Sequence, residues 1–146
     1  MAGQAIIEVQ RKIRRALQSP LNAQALAASP SVPIKWTGIP FDRDAMSNYI
    51  DVQIGFGAVI VHEIGPNPLV EGTGFVTMVL HSPIDRGEDG NDKLLGIATA
   101  AYPLYSTPAF EGISVFVDKM QHRGYGSDGP WLTGLVSVDW NIYRRS

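Results

Sequence analysis

Alternation of apolar and polar residues is strongest near the C-terminal end of the chain. From Trp131 to Tyr143 the even positions are Leu132, Gly134, Val136, Val138, Trp140 and Ile142; the odd positions are Trp131, Thr133, Leu135, Ser137, Asp139, Asn141 and Tyr143. One set is apolar and the other mostly polar, the period-2 pattern of a long strand with one face on a core and the other partly open. Two more segments alternate. Tyr49–Phe56 sets Ile50, Val52, Ile54 and Phe56 against Tyr49, Asp51 and Gln53, and Gly72–Leu80 sets Gly74, Val76, Met78 and Leu80 against Phe75, Thr77 and Val79. Ala58–Ile64 is strand-like again. With Gly55 and Gly57 marking a bend, the region is either one bent ribbon or a hairpin, ended by Gly65-Pro66-Asn67-Pro68. Ile113–Val117 is a short apolar strand.

A different period governs residues 4–18, where Ile6, Val9, Ile13 and Leu17 recur at spacings of three and four and predict an amphipathic helix. Ser19-Pro20 is expected to interrupt it, with a second short turn over Ala23–Ala28 capped by Asn22 and stopped by Ser29-Pro30. A second helix is predicted over Asp92–Tyr102, capped by Asp89 or Asn91, with Leu94, Leu95, Ala98, Ala101 and Tyr102 inward and Pro103 closing it. Pro30, Pro33 and Pro40 make Ser29–Ser47 irregular, apart from a short extended piece at Ile34-Lys35-Trp36. Lys119–Gly129, with Gly124, Gly126 and Gly129, reads as a polar connection.

The expected fold is α/β of the α+β kind, one domain over residues 1–146. A mixed, mostly antiparallel sheet of about four strands carries two helices on one face. A β-α-β unit in the C-terminal half runs from Gly72–Leu80 through the second helix to Ile113–Val117.

Composition narrows the class without naming a function. The 146 residues are 45% hydrophobic and 18% charged, which suits a folded domain, and the net charge of −2 does not suggest a nucleic-acid or membrane binder. No cysteine is present, which removes disulfides, thiolate metal sites and cysteine nucleophiles. No apolar run reaches the roughly 18 residues needed to span a bilayer. Arg11, Lys12, Arg14 and Arg15 stand where a signal peptide would need its apolar stretch, so secretion by that route is not expected.

The search for chemistry returns little. His62, His81 and His122 lie at no metal-ligand spacing, and His62 and His81 are expected as exposed strand side chains. Asp85–Asp92 lacks the ligand order of a calcium loop and reads as a polar turn. The Gly-x-Gly pairs at 55/57, 72/74 and 124/126 open no helix after a strand, so they read as bends. There is no Gly-x-Ser-x-Gly elbow. Neither catalytic residues, a cofactor nor a metal is assigned, and no enzyme is expected. The basic stripe Arg11/Lys12/Arg14/Arg15 is either a solvated helix face or a contact for an acidic partner surface or for nucleic acid.

Several segments, taken in order, resemble one family. They are the N-terminal helix; Pro33-Ile34-Lys35-Trp36 followed by Ile39-Pro40-Phe41; Tyr49-Ile50-Asp51-Val52; Gly74-Phe75-Val76-Thr77-Met78-Val79 running into Pro83; the helix Asn91–Tyr102; and Gly129-Pro130-Trp131 leading to Val136-Ser137-Val138-Asp139-Trp140. Their order and spacing are similar to those of the tail terminator, or tail completion, proteins of long-tailed bacteriophages. The resemblance implies a small structural virion protein at the tail–neck junction, assembled in the host cytoplasm. It implies a homo-hexameric ring that caps the tail tube, ends its polymerisation and offers a surface to the head-side connector. Its partners would be further copies of itself, the major tail tube protein and a connector or neck protein. DNA would pass through the lumen unread, and no membrane is involved.

Such a ring needs heterologous interfaces. Candidate interface residues are Arg11, Arg14, Arg15, His122, Arg123, Tyr125, Trp131, Leu135 and Tyr143, the last strand supplying Trp131, Leu135 and Tyr143 on its open face. Gly57–Gly72 and Lys119–Gly129 are candidate tube contacts, removable without loss of the fold. Asp85, Glu88, Asp89 and Asp92 are candidate lumen groups. Another neck or head–tail joining protein is the nearest alternative, and a small ligand-binding module or enzyme a more distant one.

Overall fold

The computed structural model describes residues 2–28, 31–43, 48–61 and 70–144, with side chains described at 6–28, 31–43, 48–58, 60 and 71–142. Helix α1 spans Ala2–Ala27 and contains Pro20. The expected break at Ser19-Pro20 does not occur, because the apolar stripe continues past it. Ile13, Leu17 and Leu21 are fully buried at spacings of four, with Val9, Ala16 and Ala25 beside them. Burying each large aliphatic side chain is worth about 1.5–3 kcal/mol, so Leu21 and the turn around it offset the roughly 3 kcal/mol that an interior proline costs. The chain leaves the helix through a hydrogen bond from the Val32 N–H to the Ala25 carbonyl and enters β1, Ile34–Trp36.

One sheet has the strand order β1-β2-β3-β7-β6, where β2 is Tyr49–Val61, β3 is Val70–Pro83, β6 is Phe116–Asp128 and β7 is Trp131–Arg144. β1 pairs parallel with β2, and every other neighbouring pair is antiparallel. β2 is one continuous ribbon against β3, with an irregularity between Phe56 and Val59, which settles the ribbon-or-hairpin choice. A separate two-stranded sheet joins β4, Ala109–Phe110, to β5, Ile113–Ser114. There are thus five strands in the main sheet where about four were expected. The expected strand at Ile113–Val117 is divided between the small hairpin and the start of β6.

The largest correction concerns Lys119–Gly129. It is not a connection but most of β6, paired with β7 from Phe116↔Asn141 to Asp128↔Trp131. Its polarity follows from its place at the sheet edge: after Val117 and Met120, which pack on the core, its side chains are mostly exposed. Register shifts at Val117/Lys119 and His122/Tyr125, with Gly124 at a φ of +92°, break the alternation that would have revealed it. The segment is therefore part of the sheet and not a removable loop. β3 and β6 both run antiparallel to β7, so they are parallel to each other with β7 between them, and β3, the second helix and β6 form a β-α-β crossover whose return strand is β6 and not the expected Ile113–Val117.

Helix α2, Gly87–Ala101, follows a short 3-10 turn at Ile84–Arg86 and starts earlier than expected. Neither Asp89 nor Asn91 caps it. Its N-cap is Arg86, without a side-chain capping bond, and Asn91 is already in the second turn and buried. Both helices lie on the sheet face built by Ile50 and Val52, by Val76, Met78 and Leu80, and by Val136, Val138, Trp140 and Ile142. These pack with Ile13, Leu17, Leu94 and Ala98 into one core. Gly65–Pro68, His62, Ser29-Pro30 and the Tyr143 side chain lie outside the described residues.

Candidate interaction surfaces

Among the described residues the sheet face away from the helices is covered at one end. There Phe41, Tyr49, His81 and Trp131 pack together. The Tyr49 and His81 rings stack at 4.2 Å with 8° between planes, and Trp131 meets both edge-on, at 5.2 and 6.1 Å. Two expectations are corrected here. His81 is buried instead of exposed, and Trp131, 6% exposed, is no open-face anchor. The reason is tertiary: the proline-rich segment before β2 folds over this end and brings Phe41 onto Tyr49. His81 Nδ1 donates to the Val79 carbonyl at 3.1 Å, and its Nε2 lies 3.7 Å from an Asp128 carboxylate oxygen that also takes a hydrogen bond from Arg43 at 3.0 Å. Burial pushes the His81 imidazole below its ordinary value, so the ring is neutral near pH 7.

Among the described residues the rest of that face is open. Phe75, 41% exposed, lies over Gly55, where a side chain would collide with its ring at 2.1 Å. Val79 and Leu135 are half-buried neighbours in adjacent strands, flanked by Gln53, Thr77, Ser137 and Gln121. Leu135 is where the sequence put it. Phe75 and Val79, visible in the alternation of β3, were not singled out from it.

The two edges of the sheet differ chemically. At the β1 edge a groove of about 270 Å³ is lined by Trp36, Thr37, Ile39, Ile54 and Phe56 from the sheet side and by Arg14 and Gln18 from α1. Ile39 is 59% exposed. The Arg14 guanidinium carbon sits 6.0 Å from the centroid of the Phe56 ring, within cation–π range, and Phe56 in turn meets Trp140 edge-on at 5.7 Å. At the β6 edge the Tyr125 hydroxyl donates to Asp92 Oδ1 at 2.8 Å, linking the strand to the first half of α2. That hydrogen bond raises the Tyr125 phenol above its ordinary value. Some desolvation and the charges of Asp92, Glu88 and Asp89 act in the same direction. His122, beside it, meets the Tyr125 ring edge-on at 5.2 Å.

The expected interface residues therefore do not form one patch. Arg11 is engaged by Glu8 at 3.1 Å and by Glu111 at 3.4 Å, Arg14 turns into the β1-edge groove, and Arg15 is exposed beside Phe110. No uniform basic stripe results. His122 and Tyr125 are on β6 facing α2, and Arg123 is exposed on the same strand. Asp85, Glu88, Asp89 and Asp92 are all exposed around the start of α2. The groove at Trp36 and Ile39 was missed, because proline-rich sequence gives no period from which to place its side chains.

Among the described residues no group of three or more histidines and carboxylates could hold a metal ion, and no helix is long and apolar enough to cross a membrane. A polar cleft of about 420 Å³ beside α2 is lined by Asn48, Ser82, Pro83, Arg86, Asp89, Gly90 and Lys93.

No known family's sequence pattern matches the chain, and no curated protein is similar to it. Thirteen chains of solved structures resemble it in fold. One of them superposes with a TM-score of 0.77 at 19% identity, over 94% of this chain and 97% of its own, and its name carries no functional word. At that identity the likeness is one of fold: this arrangement of two helices on a mixed sheet exists, almost end to end, in a solved structure.

Proposed function

We propose that this chain is a structural subunit of a phage tail terminator, forming a ring that ends tail-tube growth and joins the tail to the head-side connector. The observation that carries the reading is the pair of dissimilar sheet edges. A basic, aromatic groove at β1 lies at one end of the strand order and a carboxylate-rich, tyrosine-bearing surface at β6 lies at the other. Unlike edges suit head-to-tail contacts between copies, and such contacts close into rings when the rotation permits. The segments that resemble tail terminators fall on the elements that build this framework: α1, β1, the start of β2, β3, α2 and β7. The open face at Phe75, Val79 and Leu135 is a second surface for assembly, suited to the tube or the connector.

The test is the phenotype of particles lacking the protein. Overlong tails support a terminator. Tailless heads with free tails of normal length move the protein to a joining role in the neck. In solution, light scattering should give six times the protomer mass of 15.9 kDa; a monomer at high micromolar concentration counts against a stable ring.

A further inference from the structure

We infer that the β1-edge groove is the seat for the β6–α2 edge of a second copy of this chain, with Tyr125 of one copy packing among Trp36, Ile39 and Phe56 of the next and Asp92 facing its Arg14. The inference rests on the ring reading and adds the contact that would build it.

Three observations carry it. The first is complementarity of charge. Arg14 is the cation of the groove, and among the described residues its recorded contact is the Phe56 ring and not a carboxylate. The opposite edge exposes Glu88, Asp89 and Asp92 around the Tyr125 hydroxyl. Arg86 and Lys93 line the cleft with Asn48 and Pro83, which Asp89 shares, whereas Glu88 and Asp92 are not among its lining residues. Asp92 takes one recorded hydrogen bond, from Tyr125, and an ionised carboxylate has room for several more.

The second is complementarity of shape and polarity. The groove is walled by two aromatic and three aliphatic side chains, with Ile39 largely in solvent. Tyr125 offers a partly exposed ring held in one orientation by Asp92 and by His122. A pre-oriented aromatic beside a charge is the kind of group that dominates interface energetics, because little side-chain freedom is left to lose on binding.

The third is the form of the edges. β1 has three residues, and β6 is interrupted by two register irregularities with charged side chains at Asp118, Lys119 and Arg123. Neither edge offers an uninterrupted ladder for strand addition, so the copies meet through side chains. Because β1 and β6 end opposite sides of one sheet, the contact joins two different patches, as head-to-tail association in a ring requires. It also places Glu88, Asp89 and Asp92 at the seam between subunits instead of in the lumen.

The absence of cysteine makes the contact testable by disulfide trapping without background. Thr37→Cys marks the groove and Glu88→Cys marks the opposite edge, both at exposed positions. Each variant would be purified alone, mixed with the other, oxidised and resolved by mass, with light scattering on the same samples. The expected result is a crosslink in the mixture and none in either variant alone, and a covalent ladder ending at the closed ring when both cysteines are in one chain. Arg14→Glu and Asp92→Arg should each weaken association about tenfold, and the double exchange should restore it, a recovery that mere damage to the fold would not give. Oligomers of ring mass that crosslink within a single variant, or not at all, overturn this contact and leave the ring reading standing. A chain that stays monomeric at millimolar concentration overturns both.

Discussion

The Tyr102 hydroxyl donates to the main-chain oxygen of Leu17, 2.5 Å away and 85 positions earlier in the chain. Tyr102 is the residue after α2 and is fully buried, while Leu17 lies in α1 three residues before Pro20. A proline in mid-helix removes the donor that would serve the carbonyl four residues back and pushes the turn open there. One residue on from the Ala16 carbonyl, a side chain from the end of α2 supplies a donor to Leu17. The bond ties the end of α2 to the middle of α1, which explains how a helix with an internal proline keeps a fixed place on the core.

Tyr102→Phe should lower stability by about 1–3 kcal/mol at neutral pH, since the ring still fits but a buried carbonyl loses a donor. A second effect is specific to the phenol. Burial raises the Tyr102 hydroxyl above its ordinary value of 10.0, so on unfolding the group becomes easier to ionise. Its contribution is complete below about pH 10 and falls as pH rises beyond that, by up to about 1.4 kcal/mol per pH unit. Urea unfolding at pH 7 to 11 should show a steeper alkaline loss for the wild type than for the variant; parallel curves would show that this hydroxyl does not carry the effect.

Pro20→Ala tests the proline from the other side. It returns an N–H to the Ala16 carbonyl and relieves the ring clash, while loosening the unfolded chain by about 0.4–1 kcal/mol. The net expectation is a gain of about 1–2 kcal/mol, read as a higher midpoint of thermal unfolding. A loss would mean that the Tyr102–Leu17 bond depends on the proline.

Two glycines should respond unequally to alanine. At Gly74 an added methyl would lie 2.2 Å from the Trp140 ring and 2.4 Å from the Gly55 carbonyl oxygen, and a main-chain atom cannot step aside cheaply. Gly74→Ala should cost about 2–3 kcal/mol. At Gly126 on the edge strand the nearest atom is Thr133 Oγ1 at 3.1 Å, and Gly126→Ala should stay within about 0.5 kcal/mol of the wild type. Equal effects in chemical denaturation would contradict the close approach of β2, β3 and β7 around Trp140.

The buried imidazole gives the acid side of the stability curve. His81 is held below its ordinary 6.5 chiefly by burial, although the Val79 carbonyl and the charges of Asp51 and Asp128 pull the other way. On acidification the unfolded chain takes up a proton before the folded one does. The contribution is therefore present above about pH 6.5 and is lost as pH falls from there through the folded value. His81→Phe, which keeps the stack on Tyr49, should be flatter than the wild type between pH 7 and 5. It should also lie within about 1 kcal/mol of it at pH 7. An unchanged slope would move the acid sensitivity to another group.

Period-2 alternation placed the helix-covered faces of β2, β3 and β7 residue by residue, from Ile50 and Val52 to Val138 and Trp140, because an antiparallel strand half on a core must alternate. Period-3.6 spacing placed Val9, Ile13 and Leu17 inward for the same kind of reason. Hydrophobic periodicity is a local record of a long-range fact, and where that record is clean the chain can be read directly. Three features lay beyond it. The irregularities of β6 destroy the period that would mark it as a strand, and only its pairing with β7 shows what it is. Pro20 and Asn91 obey tertiary needs over local preference: the proline is carried by the buried stripe on either side. Asn91 gives up a cap to donate to Leu80, Ser82 and Leu132 beneath the helix. The burial of His81 and Trp131 and the joining of Arg14 to Trp36 and Ile39 depend on where an aperiodic segment folds back. The sequence by itself determined which faces of its strands and helices are buried. Only the packing of distant segments decided which of the remaining faces stay open, since exposure is set by what folds over a residue and not by its neighbours in the chain.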